Sequence, residues 1–203
     1  LSKLPNNLAT LYAKTYPEMP EPKGENFLII SAYERGIEQF LIEEKKLIVA
    51  GNELIITGLE KEFLVPLEDC VDGKQIVIRG KIDRVDQYNG VTRLIDYKTG
   101  KIEKSKLSWI NWESFVGDYK RNALFQLLLY AWAYLENENC SSVEVGVISF
   151  KSPRDIVMPL MRKNLPKGSD FGKVDSAFAA EIRNFISQLI QELFDLEKSF
   201  VSL

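Results

Sequence analysis

The feature that most constrains this chain is a dipeptide, Asn89-Gly90, set between IVIRGKIDRVDQY and VTRLIDYK. A two-residue hairpin turn that matches strand twist needs positive φ at both central positions, which Asn and Gly tolerate. With Tyr88 and Val91 flanking the turn, the register of the whole hairpin follows. Asp86 falls opposite Arg93, and Asp83 opposite Asp96. Opposed side chains on one sheet face have Cβ atoms roughly 5 Å apart. Two carboxylates that close repel unless a proton or a cation lies between them. Lys98, two residues after Asp96, projects from the same face. A hard divalent cation prefers carboxylate oxygens, and an amine beside it suits a phosphate. Asp86 and Arg93 read as a cross-strand ion pair rather than a second metal site. Ile76, Ile78, Ile82, Ile95 and Tyr97 alternate with the polar set, so one face is expected to pack and the other to carry function. Gly80 marks a bend or a close backbone approach.

These residues resemble the core of the PD-(D/E)XK nuclease superfamily, in its RecB/AddB-type branch. The resemblance rests on GKIDRVD, on IDYKTG with its Asp thirteen residues after the first, and on QLLLY, which places Gln126 and Tyr130 in a Q-x-x-x-Y pattern. It is strongest from residue 59 to 135. It implies an α/β (α+β) fold, a restriction-endonuclease-like mixed β-sheet flanked by helices. It implies Asp83, Asp96 and Lys98 as the catalytic set, with metal held by Asp83, Asp96 and the backbone carbonyl of Tyr97. Gly58-Leu59-Glu60 is similar to a segment before the hairpin in this family, where an acid sometimes joins the site. Glu60 is therefore a candidate auxiliary ligand, and Glu62 competes with it by alternation. The implied cofactor is Mg²⁺, with Mn²⁺ as substitute, and the implied partner is DNA, positioned by Gln126 and Tyr130. Relatives join such a domain to helicase-like modules in the same longer chain or a partner subunit, for exonucleolytic end processing in recombinational repair.

The sequence departs from that pattern in one respect. RecB-type relatives carry a catalytic His on a helix before the hairpin, and this chain contains no His. Either that residue lies upstream of Leu1 or its place is vacant. Some AddB-type nucleases hold an iron–sulfur cluster on four cysteines; with Cys70 and Cys140 alone, no cluster is expected here, nor a disulfide framework.

The formal net charge of −3 gives no global basic field, so contacts to nucleic acid would rest on local patches. One candidate is the loop after Lys98, with Lys101, Lys104 and Lys106, read as a phosphate-contacting edge or as a solvated loop. Lys120 and Arg121 stand at the start of the next helix, in reach of phosphates. Trp109 and Trp112 are either core anchors or base-stacking platforms.

The remaining pattern gives a short helix over 8–16, a proline-rich stretch to 26, and an amphipathic helix over 27–47. A strand over 53–66 with a bulge at Gly58 and an Asp72-Gly73 turn lead into the hairpin. The strongest helix signal spans 113–137, with Leu124, Leu127, Leu128, Ala131 and Leu135 as its core stripe. A buried strand over 142–150, a partner over 156–161, a loop over 164–172 and a helix over 175–196 complete the order. Residues 1–26 read as an N-terminal extension or linker and 27–203 as a single domain, the C-terminal part of a longer protein given its Leu start. No membrane segment or signal peptide is visible, so a reducing, cytoplasmic setting is expected. Two other readings stand beside the nuclease: a degenerate domain that binds DNA without cutting it, and a protein-interaction domain.

Overall fold

The Asn89-Gly90 hairpin forms the middle of the sheet in the computed structural model, which describes residues 3–71, 74–112, 115, 121–152, 156–162 and 172–195. Asn89 has φ 50° and Gly90 φ 81°. Strand β2 (Lys74–Tyr88) pairs antiparallel with β3 (Val91–Lys98), from Tyr88↔Val91 to Arg84↔Ile95, in the register the turn dictates. On its other side β2 pairs with β1 (Leu54–Val71), whose register shifts between Ile56 and Gly58 where a bulge was expected. A Cβ on Gly80 would collide with the ring of Phe63, its register partner, so only glycine fits beneath that ring.

β3 pairs in parallel with β5 (Ser142–Ser149). A parallel pair needs a crossover connection, and α3 (Asn122–Asn137) lies within it, as expected. β5 also takes β6 (Met158–Pro159) and β8 (Lys173–Asp175), both antiparallel. A separate parallel ribbon joins β4 (Ser108–Trp109) to β7 (Met161–Arg162). The sheet is thus mixed and mostly antiparallel, flanked by helices, which is the restriction-endonuclease-like arrangement.

Helices cover both faces. On one, α3 and α4 (Ser176–Leu193) bury Leu124, Leu127, Leu128, Phe178 and Ile182 against Val85, Leu94, Val145 and Val147. Each such Leu contributes about 1.5–3 kcal/mol by burial. On the other, α2 (Glu25–Val49) places Phe40 against Ile95 and Ile148, with Tyr97 and Phe150 packed beside them. A Cβ at Gly36 of α2 would lie 2.5 Å from the Phe150 carbonyl oxygen, so glycine lets α2 approach the sheet. α1 (Leu4–Thr15) packs on α2. No helix among the described residues is long and apolar enough to cross a membrane.

Several expectations shift. α1 starts before residue 8, because Pro5 sits in its first turn, where a missing N–H costs nothing. β1 runs on past Pro66 to Val71. Helix α3 begins at Asn122, after a turn at Arg121; the expected start at 113, with Lys120, lies outside the described residues, as do the Asp72-Gly73 turn and most of the 164–172 loop. Only part of the segment around 156–161 pairs with β5, since Met161 joins the β4 ribbon. Nor is one hairpin face packed and the other free: Val85 and Leu94, on the same face as Asp83 and Asp96, are buried under α3.

Candidate active site

The β2–β3 ladder stops at Arg84↔Ile95, one pair short of Asp83 and Asp96. In place of the next rung, the Tyr97 N–H donates to Asp83 Oδ2 at 2.8 Å. The N–H and C=O of one strand residue point to the same side, so the Tyr97 carbonyl is directed into the same gap. On β1, Glu60 adopts φ 50° between the pairs Leu59↔Arg84 and Lys61↔Ile82. β1 keeps its register past this residue, with one positive-φ backbone position directly across from Asp83.

Asp96 is 2% exposed. Burial pushes its carboxyl above the usual carboxylate range; Lys98 pulls it down again, and the Asp83 charge adds to the rise. Lys98 Nζ lies 2.9 Å from Asp96 Oδ2 as an ion pair, yet off the line of a hydrogen bond, so this buried oxygen has no hydrogen-bond partner. The same ammonium donates to Gln126 Oε1 at 2.7 Å, and Gln126 Nε2 donates to the Tyr130 hydroxyl at 2.5 Å. Tyr130 is buried with its ring edge-on to Phe63. Burial lifts its hydroxyl to about 12; the Gln126 bond opposes this, and the charges of Asp96, Asp83 and Glu60 reinforce it. Tyr130 thus stays protonated at neutral pH. One line of contacts runs Asp96, Lys98, Gln126, Tyr130, and it joins the hairpin to α3.

The other sequence candidates are placed as follows. Glu60 is exposed and lies 3.3 Å from Lys81; Glu62 stands 4.0 Å from the same lysine. Lys101 is exposed in the loop after β3. Arg121 Nη1 donates to the Ser108 carbonyl at 2.7 Å, bracing the start of α3 against β4. Trp109 packs on Phe178 at 5.0 Å and Trp112 stacks on Phe185 at 4.5 Å, so both are core anchors.

Three residues without a sequence-predicted role hold the site in place. Arg84 is buried, with Nε 2.8 Å from Asp86 Oδ2, Nη1 3.2 Å from the Tyr97 hydroxyl and Nη2 2.7 Å from Glu44 on α2. Its neighbour Asp86 also takes Arg93, at 2.7 and 3.1 Å, which is the cross-strand pair the register requires. Ser149, in register with Lys98, donates to the Gly100 carbonyl at 2.7 Å and ties down the loop beyond the lysine. The signal for Arg84 was its place between the two acids of DRVD; for Glu44 and Ser149, which act through tertiary contacts, there was none.

Among the described residues, no group of three or more His, Cys, Asp or Glu side chains converges on one point. The donors on hand are two carboxylates and a backbone carbonyl, all oxygen, with the buried Asp96 Oδ2 lacking a hydrogen bond. That set fits a hard divalent cation, since Mg²⁺ keeps several waters and is commonly held by one or two carboxylates plus substrate phosphate.

Comparison with known proteins bears on this geometry. An 85-residue segment is 35% identical to an ATP-dependent helicase/deoxyribonuclease polypeptide of Symbiobacterium thermophilum, covering 39% of this chain and 6% of that protein's length. A crystal structure of SSO0001 superposes over 95% of this chain and 73% of its own with 18% identity, but at a TM-score of 0.34 that carries no weight for the fold. A model of the PD-(D/E)XK nuclease superfamily matches residues 3–199. That match runs through every element from α1 to α4, and on this ground the chain belongs to the PD-(D/E)XK nuclease superfamily.

Proposed function

We propose that this chain is a metal-dependent DNA nuclease of the RecB/AddB type, hydrolysing phosphodiester bonds at the opened end of the β2–β3 hairpin. The observation that carries it is Asp96 Oδ2, buried and without a hydrogen bond, beside a second carboxylate and a lysine. Asp83, Asp96 and the Tyr97 carbonyl would hold Mg²⁺ or Mn²⁺, with Glu60 as an auxiliary ligand. A divalent cation there supplies charge neutralisation for the scissile phosphate and a more acidic water. The chain's own residues do the rest. Lys98, fixed between Asp96 and Gln126, orients the attacking water or stabilises the charge that develops on phosphate. Gln126 sets the position of Lys98, and the protonated Tyr130 sets Gln126; the pair also positions the strand. Lys101, Lys120 and Arg121 contribute phosphate contacts, which carry affinity but no sequence information.

The proposed role is exonucleolytic end processing in recombinational repair, beside helicase-like modules in the same longer chain or a partner subunit. Its support is the segment similar to a protein whose name joins helicase and deoxyribonuclease. A second reading has its own observation, the complete lack of His: a chain of this family that binds DNA without cutting it.

The test is cleavage of end-labelled DNA with Mg²⁺ or Mn²⁺, run beside calorimetric titration with Mn²⁺, on the wild type, Asp83→Asn and Lys98→Ala. The wild type should bind Mn²⁺ and cut. Asp83→Asn should lose both. Lys98→Ala should keep or tighten Mn²⁺ binding, because it removes a cation 2.9 Å from Asp96, while cleavage falls by about 10²-fold or more. DNA binding without cleavage by the wild type selects the second reading, and Mn²⁺ affinity unchanged in Asp83→Asn rejects the site.

A further inference from the structure

The side chain of Tyr97 lies on the face of β3 opposite Asp96 and Lys98, because successive strand residues alternate. It is held there on three sides. Its ring stacks on Phe150 at 5.6 Å and 15° and meets Phe40 edge-on at 6.4 Å. Its hydroxyl accepts from Arg84 Nη1 at 3.2 Å. Arg84 is in turn tied to Glu44 of α2 at 2.7 Å and to Asp86. Burial pushes the Tyr97 hydroxyl above its ordinary pKa despite the Arg84 bond, so it remains a neutral phenol.

The backbone of the same residue faces the site and donates to Asp83 Oδ2 at 2.8 Å. Arg84 directly follows Asp83, and Tyr97 directly follows Asp96. The two strands are therefore cross-braced at one level. In front, a backbone N–H on β3 holds a carboxylate of β2. Behind, a guanidinium on β2 holds a hydroxyl of β3. This is also the level at which the ladder has ended, so no backbone rung sets the spacing of the strands there.

We infer that Tyr97 is a positioning residue: its hydroxyl, anchored through Arg84 to Glu44, fixes the backbone that orients Asp83 and sets its distance from Asp96. The inference rests on the reading of Asp83 and Asp96 as a cation site. It assigns α2 a function beyond covering the sheet, since Glu44 makes the spacing of the two acids depend on where that helix sits.

Tyr97→Phe removes the hydroxyl and keeps the ring between Phe40 and Phe150. The first measurement needs no metal: amide hydrogen exchange of Tyr97, compared with Leu94 in the middle of β3. The expected result is exchange at position 97 faster by about tenfold, as local opening there becomes easier, with Leu94 unchanged. The second is Mn²⁺ titration with steady-state cleavage. Partners that orient metal ligands typically govern affinity or activity by about 10–100-fold. Mn²⁺ affinity and kcat should fall by about tenfold, with KM for DNA kept. Unchanged exchange at position 97, exchange accelerated equally at Leu94, or unaltered Mn²⁺ affinity would each overturn the inference. Absence of Mn²⁺ binding by the wild type would instead count against the cation site itself, and the exchange arm would still decide whether the brace exists.

Discussion

Two polar clusters lie back to back across the β2–β3 hairpin, and they differ in charge balance. Behind the strands, Glu44 and Asp86 face Arg84 and Arg93, two acids against two guanidiniums, with the Tyr97 hydroxyl in contact. In front, among the described residues, Asp96 is ion-paired with Lys98 and has the charge of Asp83 beside it, and one buried oxygen lacks a hydrogen bond. Burying charge is costly unless it is paired and hydrogen-bonded. The rear cluster balances its charges and joins α2, β2 and β3, although Arg84 Nη2, 2.7 Å from both Glu44 and Asp86, also lacks an aligned hydrogen bond. The front one leaves a negative excess at an opening in the ladder. A residue pattern as short as DRVD supplies acids to both, so proximity in sequence says nothing of role. Charge balance does.

The largest expected effect tests the rear. Asp86 is fully buried and accepts from two arginines. Asp86→Ala takes a buried carboxylate from both guanidiniums, leaving Arg84 with Glu44. Breaking a buried pair by removing one partner costs about 3–5 kcal/mol, a large share of the roughly 5–15 kcal/mol typical of a domain. Urea unfolding should show a strongly lowered midpoint. A loss below about 1 kcal/mol would break the contrast, because the rear would then be no more structural than the front.

Asp96→Asn should have the opposite character. Mn²⁺ affinity and cleavage should fall by roughly 100-fold or more, beyond the 10–100-fold range of groups that only orient ligands. Metal-free stability should rise. Burial raises the folded-state pKa of Asp96 above its unfolded value, so the ionised group weakens the fold, and stability decreases as pH rises between the two values. The gain from Asp96→Asn should therefore be absent below the unfolded pKa and reach its full size above the folded one. Thermal unfolding of both proteins across that window, without metal, checks the sign. Wild-type Mn²⁺ affinity should weaken as pH drops through the raised pKa, since a proton then competes for the ligand. A stability gain that grew toward low pH would contradict the burial of an unbalanced carboxylate.

What could be read from the sequence follows the range of the forces involved. The turn at Asn89-Gly90 is local, and it fixed the register from Tyr88↔Val91 down to Arg84↔Ile95, including the Asp86–Arg93 pair. The leucine stripe of α3 is local too. The end of the ladder at Asp83 is not, and no local pattern in β1 marked the positive φ of Glu60 across from it. The short strands β6, β7 and β8 are two or three residues long and carry no periodicity to read. The fates of Trp109 and Trp112 were set by Phe178 and Phe185 on α4, far along the chain. Tyr130 illustrates the mixed case: its spacing from Gln126 is local, but its burial against Phe63 needed the β1–β2 arm.

The smallest expected effect bears on that last pair. Gln126 accepts from Lys98 and donates to Tyr130, so Gln126→Ala removes two hydrogen bonds without removing a charge. A typical hydrogen bond contributes about 0.5–1.5 kcal/mol net, and the loss should be near 1 kcal/mol, well short of Asp86→Ala. The Lys98 ammonium then keeps Asp96 as its partner but loses the acceptor that orients it from α3. Mn²⁺ affinity should be nearly unchanged, because neither ligand carboxylate is touched. The kcat should fall by about tenfold, as a mispositioned catalytic group costs rate rather than binding. Tyr130→Phe should act in the same direction and more weakly, since it leaves the Lys98–Gln126 bond in place. If Gln126→Ala instead raises KM for DNA with kcat kept, Gln126 touches the strand directly. If it destabilises the protein as much as Asp86→Ala does, the front cluster holds the fold as firmly as the rear, and the distinction between them fails at this residue.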